Sequence, residues 1–301
     1  MNVTNKYNLL RDLRKNSISV VVLSYNYENY IKDNLQSLLE QTDTDFEVVV
    51  VDDGSKDNSC DVISSIIAQN NTLIKFAFYC HENHQNKGIV ESYKYALSKC
   101  TGDYIAFCEA DDYWHPDYIK NLKSTINKSK SSFIACKISC INQSSNAKYD
   151  EYVEHCNKRL ERLSIKKENV FRYLLRGNTI PTFSAVCVKK DVLLSCDFNT
   201  VYPPYLDLWL WRQIGIKHNM AFSAASLCYW RKHDSSYDMV SHLSELLDFF
   251  IASNELLMNE YSNSKFIQFL LNCVKEHFSK QFYLKCQNIF LSSINKRIVN
   301  K

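Results

Sequence analysis

ISVVVLSYNYENYIKDNLQSLLEQTDTDFEVVVVDDGS, residues 18–55, is the stretch that decides the fold. Its first six residues form a short apolar run rich in β-branched side chains, which suits a strand buried on both faces. Ser24 ends that strand. Ile31, Leu35, Leu38 and Leu39 then recur at helical spacing and lay one apolar stripe along a helix running to about Gln41. FEVVVV at 46–51 is a second buried strand, stopped by Asp52-Asp53-Gly54-Ser55. Beyond it, Asn58 or Ser59 can cap a second helix whose Val62, Ile63, Ile66 and Ile67 share one side. LIKFAFY at 73–79 reads as a third strand, a third helix follows Gly88 with Ile89, Tyr93 and Leu97 inward, and DYIAFC at 103–108 is a fourth strand. Alternation of this kind predicts an α/β fold, with a mainly parallel sheet flanked by helices and ligands bound outside the carboxyl ends of the strands.

The rest of the chain is less regular. A polar segment from Asn127 to Lys167 contains an expected strand, FIACKISC at 133–140, and a helix is expected near 168–176. Apolar runs return between 184 and 230, and from Ser241 onward Leu243, Leu246, Leu247 and Phe250 are spaced as on a helix. At 301 residues and 46% hydrophobic content the chain can fill a sizeable core. Its 36 basic and 33 acidic residues leave a formal charge of +3, too balanced to imply nucleic-acid binding by bulk electrostatics. Twelve cysteines are scattered beside apolar neighbours, as in Phe107-Cys108 and Val186-Cys187-Val188, so buried free thiols in a reducing compartment are expected. No C-x-x-C pair occurs, and Cys136 and Cys140 lack a second pair at zinc-site spacing. The opening MNVTNKYNLLRDLRKN has no apolar core of signal-peptide length, and no run approaches the roughly 18 apolar residues of a membrane span, so the expected location is the cytoplasm.

The strand ends deliver Ser24-Tyr25-Asn26, Asp52-Asp53-Gly54-Ser55 and Glu109-Ala110-Asp111-Asp112 to one rim. Carboxylates gathered at one edge repel each other unless positive charge sits among them, and hard oxygen ligands suit magnesium or manganese. Asp52 and Asp53 also read as ordinary turn residues, since Asp-Gly-Ser is a common turn. No G-x-G-x-x-G follows the first strand and no G-x-x-x-x-G-K-[ST] occurs, so backbone amides are not the phosphate cradle. A diphosphate is better neutralised here by a metal held on carboxylates, with the nucleoside packed against the first two strand ends. His81, His84 and His115 lie near the same rim in sequence, and Lys87 is either a phosphate contact or an exposed loop lysine.

VVVLSYNYENYIKDNLQSLLEQTDTDFEVVVVDDGSKDNS at 20–59 and GDYIAFCEADDYWHPDYI at 102–119 resemble the family 2 glycosyltransferases of the GT-A fold. The strand-end YN, the VDDGS-x-D loop and the carboxylate-aspartate element stand in that family's order and spacing, closely over about residues 17–125 and loosely beyond. The resemblance implies a Rossmann-like GT-A sheet that transfers a sugar from a nucleotide-diphosphate sugar, most readily a UDP-sugar, with inversion at the anomeric carbon. It implies Tyr25 as the base-stacking residue, flanked by Ser24 and Asn26, Asp53 as the partner of the nucleobase with Asp52 beside it, and Asp111 as the metal ligand for Mn2+ or Mg2+. Glu109 takes the place of the usual first aspartate, with Ala110 between the acids. Asp112 either assists the metal or caps the next turn.

YPPYLDLWLWRQIG at 202–215 resembles the family's later motif, in which an aspartate before an apolar helix serves as base, and makes Asp207 the catalytic candidate. An aspartate favoured by the helix macrodipole is the plain alternative. CYWRKHDSSYD at 228–238 resembles a Tyr-Arg-x-His-x-x-Ser segment through Arg231, His233 and Ser236, with His233 positioned to ligate the metal or touch the diphosphate. The implied organisation is a GT-A domain over 1–240, with a nucleotide-binding half at about 17–125 and an acceptor half at about 126–240, followed by a helical extension over 241–301. In that extension Phe266, Phe269, Leu270 and Cys273 are at helical spacing and Lys285, Lys296, Arg297 and Lys301 are basic, which fits a packing helix pair or a peripheral contact with the inner face of an anionic membrane. The implied acceptor is a glycan or lipid-linked hydroxyl in bacterial surface polysaccharide or lipopolysaccharide synthesis. A sugar-phosphate nucleotidyltransferase would carry a Gly-rich basic loop after the first strand, and an aspartate-based phosphatase or a receiver domain would carry its acids there. A non-catalytic nucleotide-sugar-binding or assembly protein is the alternative of a different class, separated by whether the donor is hydrolysed in manganese.

Overall fold

The computed structural model describes residues 16–142, 148–174, 178–199 and 203–233. The expected boundary at 240, the extension over 241–301, and Asp234 and Ser236 lie outside the described residues. The first half follows the predicted alternation: β1 (Ile18–Ser24), α1 (Ile31–Leu39), β2 (Glu47–Asp52), α2 (Ser59–Ala68), β3 (Lys75–Cys80), α3 (Ile89–Lys99) and β4 (Tyr104–Phe107). A two-residue strand β5 (Tyr113–Trp114) and helix α4 (Tyr118–Ser129) come next. They are followed by β6 (Phe133–Asn142), α5 (Lys148–Lys166), α6 (Phe171–Leu174), β7 (Val186–Lys189), α7 (Lys190–Leu194), α8 (Leu206–Lys217) and β8 (Met220–Lys232).

Eight strands form one sheet in the order β3-β2-β1-β4-β7-β6-β8-β5. β3, β2, β1 and β4 are parallel, as the apolar runs predict, whereas β7 lies antiparallel to both β4 and β6. β6 and β8 are parallel, and β5 closes the edge antiparallel to β8. The sheet is therefore mixed, parallel over β3-β2-β1-β4 and interrupted by β7 in the other half. The polar stretch expected to hold one strand also holds the 19-residue helix α5, whose Val153, Cys156, Leu160 and Leu163 are buried at helical spacing. Near 168–176 the observed helix is the short α6.

Both sheet faces are covered. Val20, Val22, Val48 and Val50 face a layer built from α1, α2 and α4, while Val21, Val49 and Val51 face a layer containing α3 and α8. Period-2 alternation with both faces buried is why these strands read as continuous apolar runs. The ten described cysteines are free thiols. Among the described residues no helix is long and apolar enough to cross a membrane.

Gly102, just before β4, packs closely against the start of β1. A Cβ there would lie 2.6 Å from Ser19 N and 2.8 Å from the Ile18 carbonyl carbon, while Gly102 N donates to Ser19 Oγ at 2.7 Å. Backbone atoms cannot rotate away, so Gly102→Ala is expected to destabilise the fold by about 1–3 kcal/mol through overpacking. Chemical denaturation of the purified variant checks this, and an unchanged midpoint would show that the two strands can part without cost.

Candidate active site

The carboxyl ends of β1, β2 and β4 surround a cavity of about 260 Å³. Ser24, Tyr25, Asp53, Glu109 and Ala110, all predicted from the sequence, line it. Tyr25 is 41% exposed, so its ring is presented at the mouth and open to a stacking partner. Asn26 does other work. It sits at φ 57°, its N–H donates to Ser55 Oγ at 2.9 Å and its Oδ1 accepts from Lys56 N at 2.8 Å, which fastens the β1–α1 turn to the β2–α2 turn. Asp52 is fully buried and accepts from Gly54 N, Ser55 N and Ser55 Oγ, so its carboxylate orders its own turn.

Asp53 reaches the other way. Its two oxygens accept from Lys87 N at 2.7 Å and Gly88 N at 3.0 Å, holding residues 86–88 as the far wall of the cavity. Lys87 therefore enters through its backbone, and its ammonium donates to Gln85 at 2.8 Å. His81 bonds Ser92 at 2.7 Å and stands 3.6 Å from Asp53, whereas His115 accepts from Asp117 N and caps a turn.

A second cavity, about 410 Å³, opens beside the first and shares Tyr27, Ile89 and Glu109 with it. Asp111 and Asp207 both line it. Asp111 Oδ2 lies 3.1 Å from His233 Nε2, and the His233 ring is stacked on Tyr30 at 4.6 Å. Two ligands on one octahedral magnesium or manganese, each at 2.0–2.1 Å, are separated by about 3 Å when adjacent, so this pair fits a common hard cation. The two residues come from positions 122 apart in sequence, joined because β8 runs alongside the turn after β4.

Glu109 and Asp112 crowd the same turn. Burial first, then the Asp111 and Asp112 charges, push the Glu109 carboxyl well above its usual range, and burial with Asp111 pushes Asp112 up to about 8. Thr182 Oγ1 stands 3.0 Å from Glu109 Oε2 and 2.8 Å from Asp112 Oδ2. A hydroxyl has one hydrogen, so one of these two bonds needs a proton on the carboxyl side. Asp112 also accepts from Arg231 N at 2.9 Å, which settles it as a bracket between the turn and β8.

Asp207 stands in the first turn of α8. Asn178 Nδ2 and Leu208 N each donate to it at 2.6 Å. Burial pushes its carboxyl up to about 6 against the lowering effect of those donors and of Arg212. Thr182, Asn178 and Tyr27 had no signal in the sequence pattern: each acts through a partner distant in the chain.

The glycosyl transferase family 2 model matches residues 19–193, more than half of the chain. The chain belongs to that family. A relative from Nostoc sp. named "Uncharacterized glycosyltransferase alr2836" is 28% identical over 231 residues, covering 74% of this transferase and 66% of its own length. The Escherichia coli UDP-Glc:α-D-GlcNAc-diphosphoundecaprenol β-1,3-glucosyltransferase WfaP is 33% identical over 104 residues, 35% of this chain and 39% of that one. This family 2 transferase thus spans less than two thirds of either relative. The mannosyltransferase PcManGT of Pyrobaculum calidifontis, solved with GDP-Man and Mn2+, superposes with a TM-score of 0.57 at 15% identity, over 97% of this chain and 88% of the other, and shares the GT-A fold.

Because Asp53 holds the wall of the first cavity through two backbone amides, Asp53→Ala in this transferase is expected to weaken nucleotide-diphosphate binding by about 1–3 kcal/mol. Isothermal titration with UDP and GDP checks this, and an unaltered affinity would reduce Asp53 to a turn residue.

Proposed function

We propose that the protein is an inverting, metal-dependent glycosyltransferase that moves a sugar from a nucleotide-diphosphate sugar to a hydroxyl of a glycan or lipid-linked acceptor. The observation that carries this reading is Asp207, a carboxylate of raised basicity that lines a cavity together with Asp111, next to the cavity holding Tyr25 and Asp53 and sharing Tyr27, Ile89 and Glu109 with it. In this reading the first cavity takes the nucleoside, with the base stacked on Tyr25 and hydrogen-bonded at Asp53. The UDP-sugar and undecaprenyl-linked acceptor in the name of the E. coli relative support a UDP-sugar and a lipid-linked acceptor in surface polysaccharide synthesis. Such an acceptor places the work at the inner face of the cytoplasmic membrane.

Asp111 and His233 would hold Mn2+ or Mg2+, as the Mn2+ of the Pyrobaculum enzyme also suggests. A cation held there would supply positive charge to neutralise the leaving diphosphate. The chain's own residues do the rest. Asp207 takes the proton of the acceptor hydroxyl, whose oxygen attacks the anomeric carbon from the side opposite the diphosphate. The new glycosidic bond forms as the bond to phosphate breaks, so configuration inverts. Asn178 and Leu208 N aim the Asp207 carboxylate, and their hydrogen bonds favour its ionised form. Glu109, at the junction of the two cavities, is placed to contact the donor sugar.

Asp207→Asn keeps shape and removes the base. Turnover is expected to fall by roughly 10²–10⁴ with donor affinity nearly intact. Transfer within about threefold of the parent rate would eliminate Asp207 as the base, since that is far below such a contribution. The base acts ionised, so kcat/KM should fall as pH drops through about 6, and Asp207→Asn should lose that limb of the profile. Asp111→Asn is expected to abolish transfer and manganese-dependent nucleotide binding while leaving the circular dichroism unchanged. Full activity in excess chelator would overturn the metal assignment.

A further inference from the structure

Behind the Asp53 turn, and sharing no residue with Asp111 and His233, four side chains from four separate segments converge. Asp52 ends β2, Cys80 ends β3 in register with it, Cys60 lies in the first turn of α2, and His84 lies in the short 3-10 segment Glu82–His84. One ligand atom from each lies within 4.8 Å of all the others. We propose that Asp52, Cys60, Cys80 and His84 form a second metal site, which takes zinc or a similar borderline-soft divalent cation.

Two thiolates, an imidazole and one carboxylate are a tetrahedral zinc set, and thiolates disfavour magnesium and manganese. Zinc bonds of 2.0–2.3 Å require neighbouring ligand atoms about 3.3–3.8 Å apart, so the group must draw in by about 1 Å. His84 is the exposed member of the group, with the most freedom to move its side chain. Buried cysteines usually serve as small apolar fillers. These two are only half-buried, and their sulfurs lie within 4.8 Å of each other and of a carboxylate that is itself fully buried. In the absence of a cation, burial and the Asp52 charge push both thiols up. Binding releases two thiol protons to solvent and leaves two thiolates, the Asp52 carboxylate and a neutral imidazole on one dication.

The site would act on the walls of the nucleotide cavity. Asp52 already orders Gly54 and Ser55 through their N–H groups, and the Gly54 turn is so close to the next loop that a Cβ on it would meet the His84 carbonyl at 2.6 Å. His84 holds φ 53°, a left-handed conformation that costs energy for a non-glycine residue and turns the chain back toward this cluster. A cation joining Asp52 to His84 therefore locks the Asp53 turn to the 81–88 segment, the two elements that Asp53 itself bridges.

The test uses the full chain, reduced with a phosphine, stripped with chelator and titrated with cobalt(II) and then zinc. The parent is expected to take one equivalent of cobalt with a thiolate-to-metal charge-transfer band and tetrahedral visible bands, which zinc displaces and excess magnesium does not. Zinc should raise the melting temperature of the parent. The double variant Cys60→Ser/Cys80→Ser should lose the band, and since even outer-shell changes cost 10–100-fold, its zinc affinity should fall by about 100-fold or more. His84→Ala, at an exposed position that the fold tolerates, should weaken zinc in the same direction, and Asp111→Asn should leave the band intact. The proposal is overturned if the reduced parent shows no charge-transfer band, or if the double variant keeps it. It is equally overturned if the parent binds no zinc and instead loses two titratable thiols and two hydrogens of mass on mild oxidation, which would make Cys60 and Cys80 a disulfide pair.

Discussion

Three carboxylates within four residues, Glu109, Asp111 and Asp112, are packed into the turn that follows β4, and the surrounding structure is arranged to hold them there. Like charges so close cannot all ionise in a desolvated place without compensation. Asn34 on α1 donates its amide to the carbonyls of Glu109 and Asp112, both at 2.8 Å, and to Cys108 Sγ at 3.2 Å. Ser184 Oγ accepts from Glu109 N, and its carbonyl accepts from the Trp114 indole and the Tyr118 hydroxyl. Arg231 supplies its backbone N–H to Asp112 and its guanidinium to Asp33 on α1. Helix α1, the 182–184 segment and β8 thus meet on one turn, and that meeting is what places His233 beside Asp111.

The same constraint explains a division of labour that a motif cannot express. Adjacent acids after β2 face opposite ways, as alternation along an extended chain demands. Asp53 faces the cavity at the strand ends and holds its far wall; Asp52 faces backward and orders the turn that keeps Asp53 in place. Asn26 likewise stands in the YN pair yet fastens two turns together rather than lining the cavity. A pair of neighbouring motif residues can therefore combine one cavity-lining group with one bracket.

How much was visible beforehand follows from where each contact partner lies. β1, β2 and β4 were legible because parallel strands buried on both faces leave unbroken apolar runs, half-buried β3 kept enough apolar residues at the edge to be read with them, and Ile31, Leu35 and Leu38 mark the helix between β1 and β2. Beyond α4 the sheet becomes mixed, with β7 antiparallel to its neighbours and β6 paired with β8 over a long separation, so no local period announces it. Helix α5 was hidden by its polar surface, although the Val153, Cys156, Leu160 and Leu163 stripe was there to be read. At the site, residues carrying charge at strand ends stood out, whereas Thr182 and Asn34 did not. Their partners are some 70 residues away, and nothing near a threonine or an asparagine in sequence tells it from a surface one. Cys60, Cys80 and His84 belong to no spacing motif, because the sheet register and not the chain brings them together.

Asp207 shows how the basicity of one carboxylate and the packing of a helix come to coincide. Helix α8 has no polar face: Leu206, Leu208, Trp209, Leu210, Trp211 and Ile214 are all buried, and Trp211 packs against Phe107, Phe133 and Phe183. A helix sunk to this depth brings its first turn close to the core, and although Asp207 itself is only half-buried at the cavity wall, desolvation is the largest influence raising its basicity. The helix N-terminus, Asn178 and Arg212 pull the other way, which is why the value settles near 6 and not far higher. Burying Arg212 is the counterpart, since its own guanidinium is pushed down to about 9 and is sustained by the Asp207 charge and the Leu174 carbonyl. Base strength is therefore a property of how α8 is seated against the sheet. Packing beneath Trp211 and the basicity of Asp207 are set by one arrangement and cannot be tuned independently.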